Sequence, residues 1–152
     1  MPAPQVDFYV LEGSDAEARL RFACRLVEKA WLKRHRVRVQ LEPGGELEAF
    51  DRLLWTFSDG SFVPHRRAGA PGDACGPARP EVVIADGADA DEADGDVLVN
   101  LAAGAPPAFG AWSRIAEIVD ADAQRRSRGR ERFRAYRQAG IEPATHEMRS
   151  EP

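Results

Sequence analysis

The chain has 152 residues, 43% of them apolar and 30% charged, a length and balance that suit one compact domain with a proper core. No run approaches the ~18 consecutive apolar residues of a membrane span, and Met1–Val10 lacks a basic start followed by an apolar stretch, so a soluble, cytoplasmic protein is expected. Charge is unevenly spread: residues 1–120 carry 13 Lys and Arg against 20 Asp and Glu, whereas 121–152 carry 8 against 5. Such asymmetry points to a local anionic partner near the end of the chain and away from a protein that coats nucleic acid over its whole surface.

In chain order, Val6–Leu11 is a β-branched and aromatic run closed by Gly13 and Ser14, hence a first strand. Ser14 or Asp15 then caps a helix in which Leu20, Cys24, Val27 and Trp31 recur at helical spacing, while Arg21, Arg25 and Lys29 stay wet. Arg36–Leu41 alternates as a second strand, Pro43-Gly44-Gly45 turns the chain, and Glu46–Trp55 carries Leu47, Phe50 and Leu54 at helical spacings. Glu81–Ala85, Val97–Leu101 and Ile115–Val119 are of strand length. The Gly- and Pro-rich 69–80 and the Asp-rich 85–96 read as surface loops. Only Gly129 interrupts a helix over Ala123–Ala139, which Gly140 is placed to end. Strands alternating with helices imply an α/β domain with a mostly parallel sheet covered by helices, over 1–145, with a flexible tail at 146–152.

Candidate chemistry is largely excluded. Cys24 and Cys75 are far apart, with no CxxC pair or neighbouring His cluster, and are expected to be reduced thiols. The turn Leu11-Glu12-Gly13-Ser14-Asp15 has neither GxGxxG nor GxxxxGK, and a phosphate there would meet Glu12 and Asp15. The acidic run from Asp89 to Asp96 fails as a calcium loop, because its fifth ligand position is Ala93, its glycine comes one place late and its twelfth position is Asn100. His35, His65 and His146 are scattered, and no Ser or Cys stands in a motif that would set a base beside it. No catalytic constellation and no cofactor are implied.

Two segments carry more. Leu53–His65 gathers Trp55, Phe57 and Phe62 around a Gly turn before Pro64, a composition that suits either core or a partner-binding patch. In Gln124–Arg137, at ~100° per residue, Arg126, Arg130, Phe133 and Arg137 fall within a stripe of about 60°, a small basic site with an apolar floor.

With these segments in view, the chain resembles the chi subunit family of bacterial DNA polymerase III. The likeness rests on Val6–Leu11, on Leu54-Trp55 with Ser61-Phe62-Val63-Pro64-His65, and on Arg130-Glu131-Arg132-Phe133-Arg134-Ala135-Tyr136-Arg137 with Gly140. The resemblance implies a Rossmann-like three-layer fold without a nucleotide site, in a non-catalytic subunit of a DNA-directed DNA polymerase complex. It implies an adapter in DNA replication, linking the clamp loader, through the psi subunit, to the acidic C-terminal tail of single-stranded DNA-binding protein. The tail site it implies comprises Arg126, Arg130, Phe133, Arg134, Arg137 and Thr145, with Val119 as apolar wall. The psi site comprises Trp55, Phe62, Val63 and Pro64, with His65 at the rim, and the same surface is open to a repair helicase. Phe133 stands where a Tyr is familiar in the family, which removes a hydroxyl contact. Two other classes stay open beside this one: a nucleotide-dependent enzyme with a Rossmann-like fold, which needs a phosphate site, and a direct nucleic-acid binder using the arginine helix, which the negative overall charge opposes.

Overall fold

A computed structural model describes residues 4–60, 62–67, 82–86, 95–106, 110 and 112–148. Its ten elements are β1 Gln5–Leu11, α1 Ala16–Leu32, β2 Val37–Gln40, α2 Glu46–Thr56, β3 Arg66–Arg67, β4 Val82–Ala85, β5 Gly95–Asn100, β6 Trp112–Val119, α3 Ala123–Gln138 and β7 Ala144–Met148. The strands form one sheet in the order β3-β4-β2-β5-β6-β1-β7, and every pairing is parallel.

Parallel strands in mid-sheet are covered on both faces, so their residues are apolar in unbroken runs. Val82–Ala85 is buried throughout, and so are Val37, Val39, Val97, Leu98 and Val99. The larger core lies between the sheet and the pair α1 and α2, and includes Leu20, Cys24, Val27, Val39, Phe50, Leu54, Ile84 and Val99. On the opposite face Val6, Phe8, Ile115, Val119, Tyr136 and Ile141 pack with α3. The result is the expected three-layer α/β arrangement.

Local chemistry sets the helix ends. Asp15, and not Ser14, caps α1, its side chain accepting from the Glu17 N–H at 3.1 Å. Asp122 caps α3 in the same way through the Arg125 N–H at 2.9 Å. Gly140 takes a left-handed φ of 86° just beyond α3, which a Cβ would oppose, and the chain turns into β7.

β7 lies within and beyond the point where the sequence suggested a tail. Its residues His146, Glu147 and Met148 pair with Tyr9, Val10 and Leu11 of β1. The His146 ring stacks on Tyr9 with centroids 5.2 Å apart, and its Nε2 is 3.0 Å from Asp7 Oδ1. The short edge strand β3 was likewise not anticipated. Cys75, the 69–80 loop and Asp89–Asp94 lie outside the described residues.

Candidate functional site

Helix α3 departs from an ordinary amphipathic helix, because the face it turns to the sheet is made of Gly129, Arg132 and Tyr136. Gly129 sits directly over Val119: a Cβ placed on it would come 2.8 Å from Val119 Cγ2. Glycine therefore lets the helix approach β6 more closely than any other residue could. Val119, expected as an apolar wall of a surface site, is only 5% exposed and spends its side chain on this contact.

Beneath α3 lies a buried polar cluster. Arg132 Nε donates to Glu117 Oε1 at 2.8 Å and Nη1 to the Ala103 carbonyl at 2.9 Å. The Tyr136 hydroxyl and Asn100 Nδ2 donate to Glu117 Oε2 at 2.5 and 3.0 Å. Burial pushes the Glu117 carboxyl above its usual range, and the Arg132 guanidinium and the donors from Asn100 and Tyr136 oppose that shift. Both Glu117 oxygens are thus satisfied inside the protein, which is the condition for keeping a carboxylate there.

With Arg132 turned inward, the other arginines divide. Arg126, Arg130 and Arg134, on successive turns, have no acceptor among the described residues. Arg130 and Arg134 are exposed and Arg126 half-buried. Arg137 approaches Glu142 at 3.7 Å. Phe133 is half-buried, its ring 5.2 Å from that of Phe8. Thr145 pairs with Phe8 in the β1–β7 register, so it is exposed on the sheet face that α3 covers. Phe133 and Thr145 thus both neighbour Phe8, the first through its ring and the second through the strand pairing.

The second group lies at the other end of the sheet. Trp55 and Phe62 are 44% and 64% exposed, and their rings are 5.1 Å apart. Pro64 is exposed beside them, whereas Val63 has no exposed surface and belongs to the larger core. A side chain so buried cannot be a contact surface, which corrects its expected place. His65, expected at the rim, lies beneath: its side chain is 1% exposed and its ring is 4.3 Å from Trp55. The ring is fixed through Nδ1 to the Val63 carbonyl and through Nε2 to Asp51. Asp51 also accepts from Arg67, which in turn forks onto Glu48 at 2.7 and 2.8 Å. Ser61 lies outside the described residues.

Sequence reasoning missed Arg132, Tyr136, Glu117 and Asn100, and also Asp51. One sign was available, a lone Glu117 within the otherwise apolar Ile115–Val119, because a charge in a doubly covered strand requires a partner. Among the described residues no group of three or more His, Cys, Asp and Glu could hold a metal ion, and no helix is long and apolar enough to cross a membrane.

Residues 3–144 match the family model described as DNA polymerase III chi subunit, HolC. The chain is 34% identical over 147 residues to the DNA polymerase III subunit chi of Pseudomonas aeruginosa, covering 95% of this chain and 96% of that protein. It is 26% identical over 138 residues to the DNA polymerase III subunit chi of Escherichia coli K12, covering 88% and 91%. With a match over nearly its whole length, the chain belongs to the DNA polymerase III chi subunit family.

Proposed function

We propose that this accessory subunit is a non-catalytic adapter, which joins the clamp loader, through psi, to the acidic C-terminal tail of single-stranded DNA-binding protein. The observation that carries the reading is that Arg126, Arg130 and Arg134 line successive turns of α3 with no acceptor among the described residues, on the same helix as the half-buried ring of Phe133. Guanidinium groups left without carboxylates in a protein of net charge -4 are suited to an anionic partner. In this reading Arg130 takes the terminal carboxylate of the tail, Arg126 and Arg134 meet its acidic residues, and Phe133 with Thr145 receives the terminal aromatic ring. Val119 acts from below, by setting the height of α3. The exposed pair Trp55 and Phe62, with Pro64, receives psi.

Calorimetric titration with tail peptides tests this. The peptide ending in its terminal Phe is expected to bind, and the same peptide without that residue to bind poorly, because the acidic run alone offers exposed ion pairs worth about 0–1 kcal/mol each. Arg130→Ala is expected to lose about 1.5–3 kcal/mol of binding, and lysine to restore it only in part. Equal affinity for the two peptides, or tighter binding to bare single-stranded DNA than to either, overturns the adapter reading in favour of direct nucleic-acid contact.

A further inference from the structure

A crevice of about 370 Å³ opens at the carboxyl ends of β2, β5 and β6, on the opposite flank of α3 from the arginines just described. We propose that it binds a small multivalent oxyanion of the phosphate class, either free pyrophosphate or the phosphate groups of a nucleotide. Its position follows from the topology. From β2 the chain runs through α2 toward β3 and β4 on one side, and from β5 it runs to β6 on the other. Neighbouring strands whose connections part in opposite directions leave a gap beyond their carboxyl ends, and open α/β sheets bind ligands there. This is not the turn after β1, whose Glu12 and Asp15 oppose a phosphate.

The lining supplies the charge. Arg19, Arg125, Arg128 and Arg132 all border the crevice, with Glu42, Glu46 and Asp122 as the carboxylates among them; Arg125 and Arg132 are already held by Asp120 and Glu117. Each acidic group is already committed: Glu46 to Arg19 at 3.1 Å, Glu42 to the Ala103 N–H at 2.7 Å, and the helix cap Asp122 to the Arg125 N–H. Two positive groups are not fully used. Arg128 is exposed and has no partner among the described residues. Arg19 is 4% exposed; it spends Nη1 on Glu46 and Nη2 on the Leu101 carbonyl at 2.7 Å, and its buried Nε–H alone has no acceptor. A buried donor left without an acceptor is uncommon, and an oxyanion in the crevice is the kind of group that satisfies it. The first turn of α2 adds to this, because its cap residue Gly45 offers no side-chain acceptor and leaves the N-terminal N–H groups of that helix to other partners. Among the described residues no aromatic ring borders the crevice, so the contacts it offers are to phosphate groups, whichever molecule carries them.

The test is calorimetric titration of the full chain with inorganic phosphate, pyrophosphate and a nucleoside diphosphate at matched ionic strength. Pyrophosphate is expected to bind saturably at one site. Arg128→Ala is expected to weaken it about tenfold or more, the loss of one charge-assisted contact, whereas Lys29→Ala, which removes an exposed charge from α1, leaves it unchanged. A nucleoside diphosphate binding more tightly than pyrophosphate identifies a nucleotide as the ligand, and equal binding identifies the diphosphate group alone; either supports the site. Absence of saturable binding, or equal weakening by Arg128→Ala and Lys29→Ala, overturns it.

Discussion

Arg132 and Glu117 meet at 2.8 Å with side chains 6% and 0% exposed, so the contact that fastens α3 to β6 is a charged pair in the driest part of that interface. Removing one partner of such a pair strands the other charge. Arg132→Ala is therefore expected to cost about 3–5 kcal/mol of unfolding free energy, read from urea denaturation. Exchanging both residues for apolar ones of similar volume is expected to recover only part of that loss, because the buried Tyr136 hydroxyl then loses the carboxylate to which it donates. A loss below about 1 kcal/mol for the single change would mean that water reaches Glu117 once the guanidinium is gone.

Alanine in place of glycine usually stabilises a helix interior by about 0.5–1 kcal/mol. At Gly129 the sign is expected to reverse, because the new Cβ would stand 2.8 Å from a Val119 methyl carbon. Overpacking of this kind costs about 1–3 kcal/mol. Gly129→Ala should lower the urea midpoint, and Val119→Ala in the same chain should make the glycine replacement less harmful than it is alone. If the two changes instead add independently, the close approach is not what requires glycine.

Cys24 is wholly buried, and burial pushes its thiol up to about 12 against the pull of Arg21 and Arg25. Only the thiolate reacts, so the native protein at pH 8 is expected to leave Cys24 unmodified by a disulfide reagent while the urea-unfolded protein is modified there. Peptide mapping by mass spectrometry separates it from Cys75. Native modification at the rate of an unfolded thiol would contradict the burial.

The strong periodic elements were legible because apolar spacing alone determines them: Leu20, Cys24 and Val27 mark the buried side of α1, and the run Val6–Leu11 marks β1. The pattern gives out where the fold uses polar groups internally. A reading that assigns arginines to water puts Arg19 and Arg132 outside, yet both are buried, because Glu46 and Glu117 meet them from segments 27 and 15 residues away. β7 was illegible for a related reason. Ala144–Met148 has little apolar character, and it is held by His146 against Asp7 and Tyr9, a contact spanning 139 residues. The aromatic platform was half legible: Trp55 and Phe62 are exposed, but nothing in the string Phe62-Val63-Pro64-His65 says that Val63 and His65 point the other way.

The support of that platform gives a pH signature. Partial burial disfavours the charged Asp51, but the donors Arg67 and His65 outweigh it and hold the carboxyl below its ordinary value. A carboxyl that binds its proton less tightly when folded stabilises the fold fully above its unfolded value of about 4, and the contribution fades as pH falls through the lower native value. Asp51→Asn should therefore lower the urea midpoint at pH 6 and make progressively less difference toward pH 3. The effect should be modest, about 1 kcal/mol or less, because the side chain is 25% exposed. A difference that stayed constant across that range would assign the effect to shape and not to charge.

Phe62 separates a binding role from a packing role most cleanly, because the two assign opposite costs to one substitution. Its ring is 64% exposed and rests on Trp55, so Phe62→Ala removes little buried surface and is expected to change the unfolding free energy by no more than about 0.5 kcal/mol. As an anchor in the complex with psi the same ring would be buried, and truncating such an anchor commonly costs 2 kcal/mol or more, roughly a thirtyfold weakening. Val63→Ala provides the contrast. Its side chain is wholly buried in the larger core, so it is expected to lose stability and, once the protein is folded, to bind nearly as before. Measuring urea unfolding and partner affinity for both variants gives four values, and the expected pattern is crossed: affinity falls for Phe62→Ala, stability for Val63→Ala. Should Phe62→Ala unfold the chain while leaving the affinity of the folded fraction intact, the platform is part of the packing and the partner docks elsewhere.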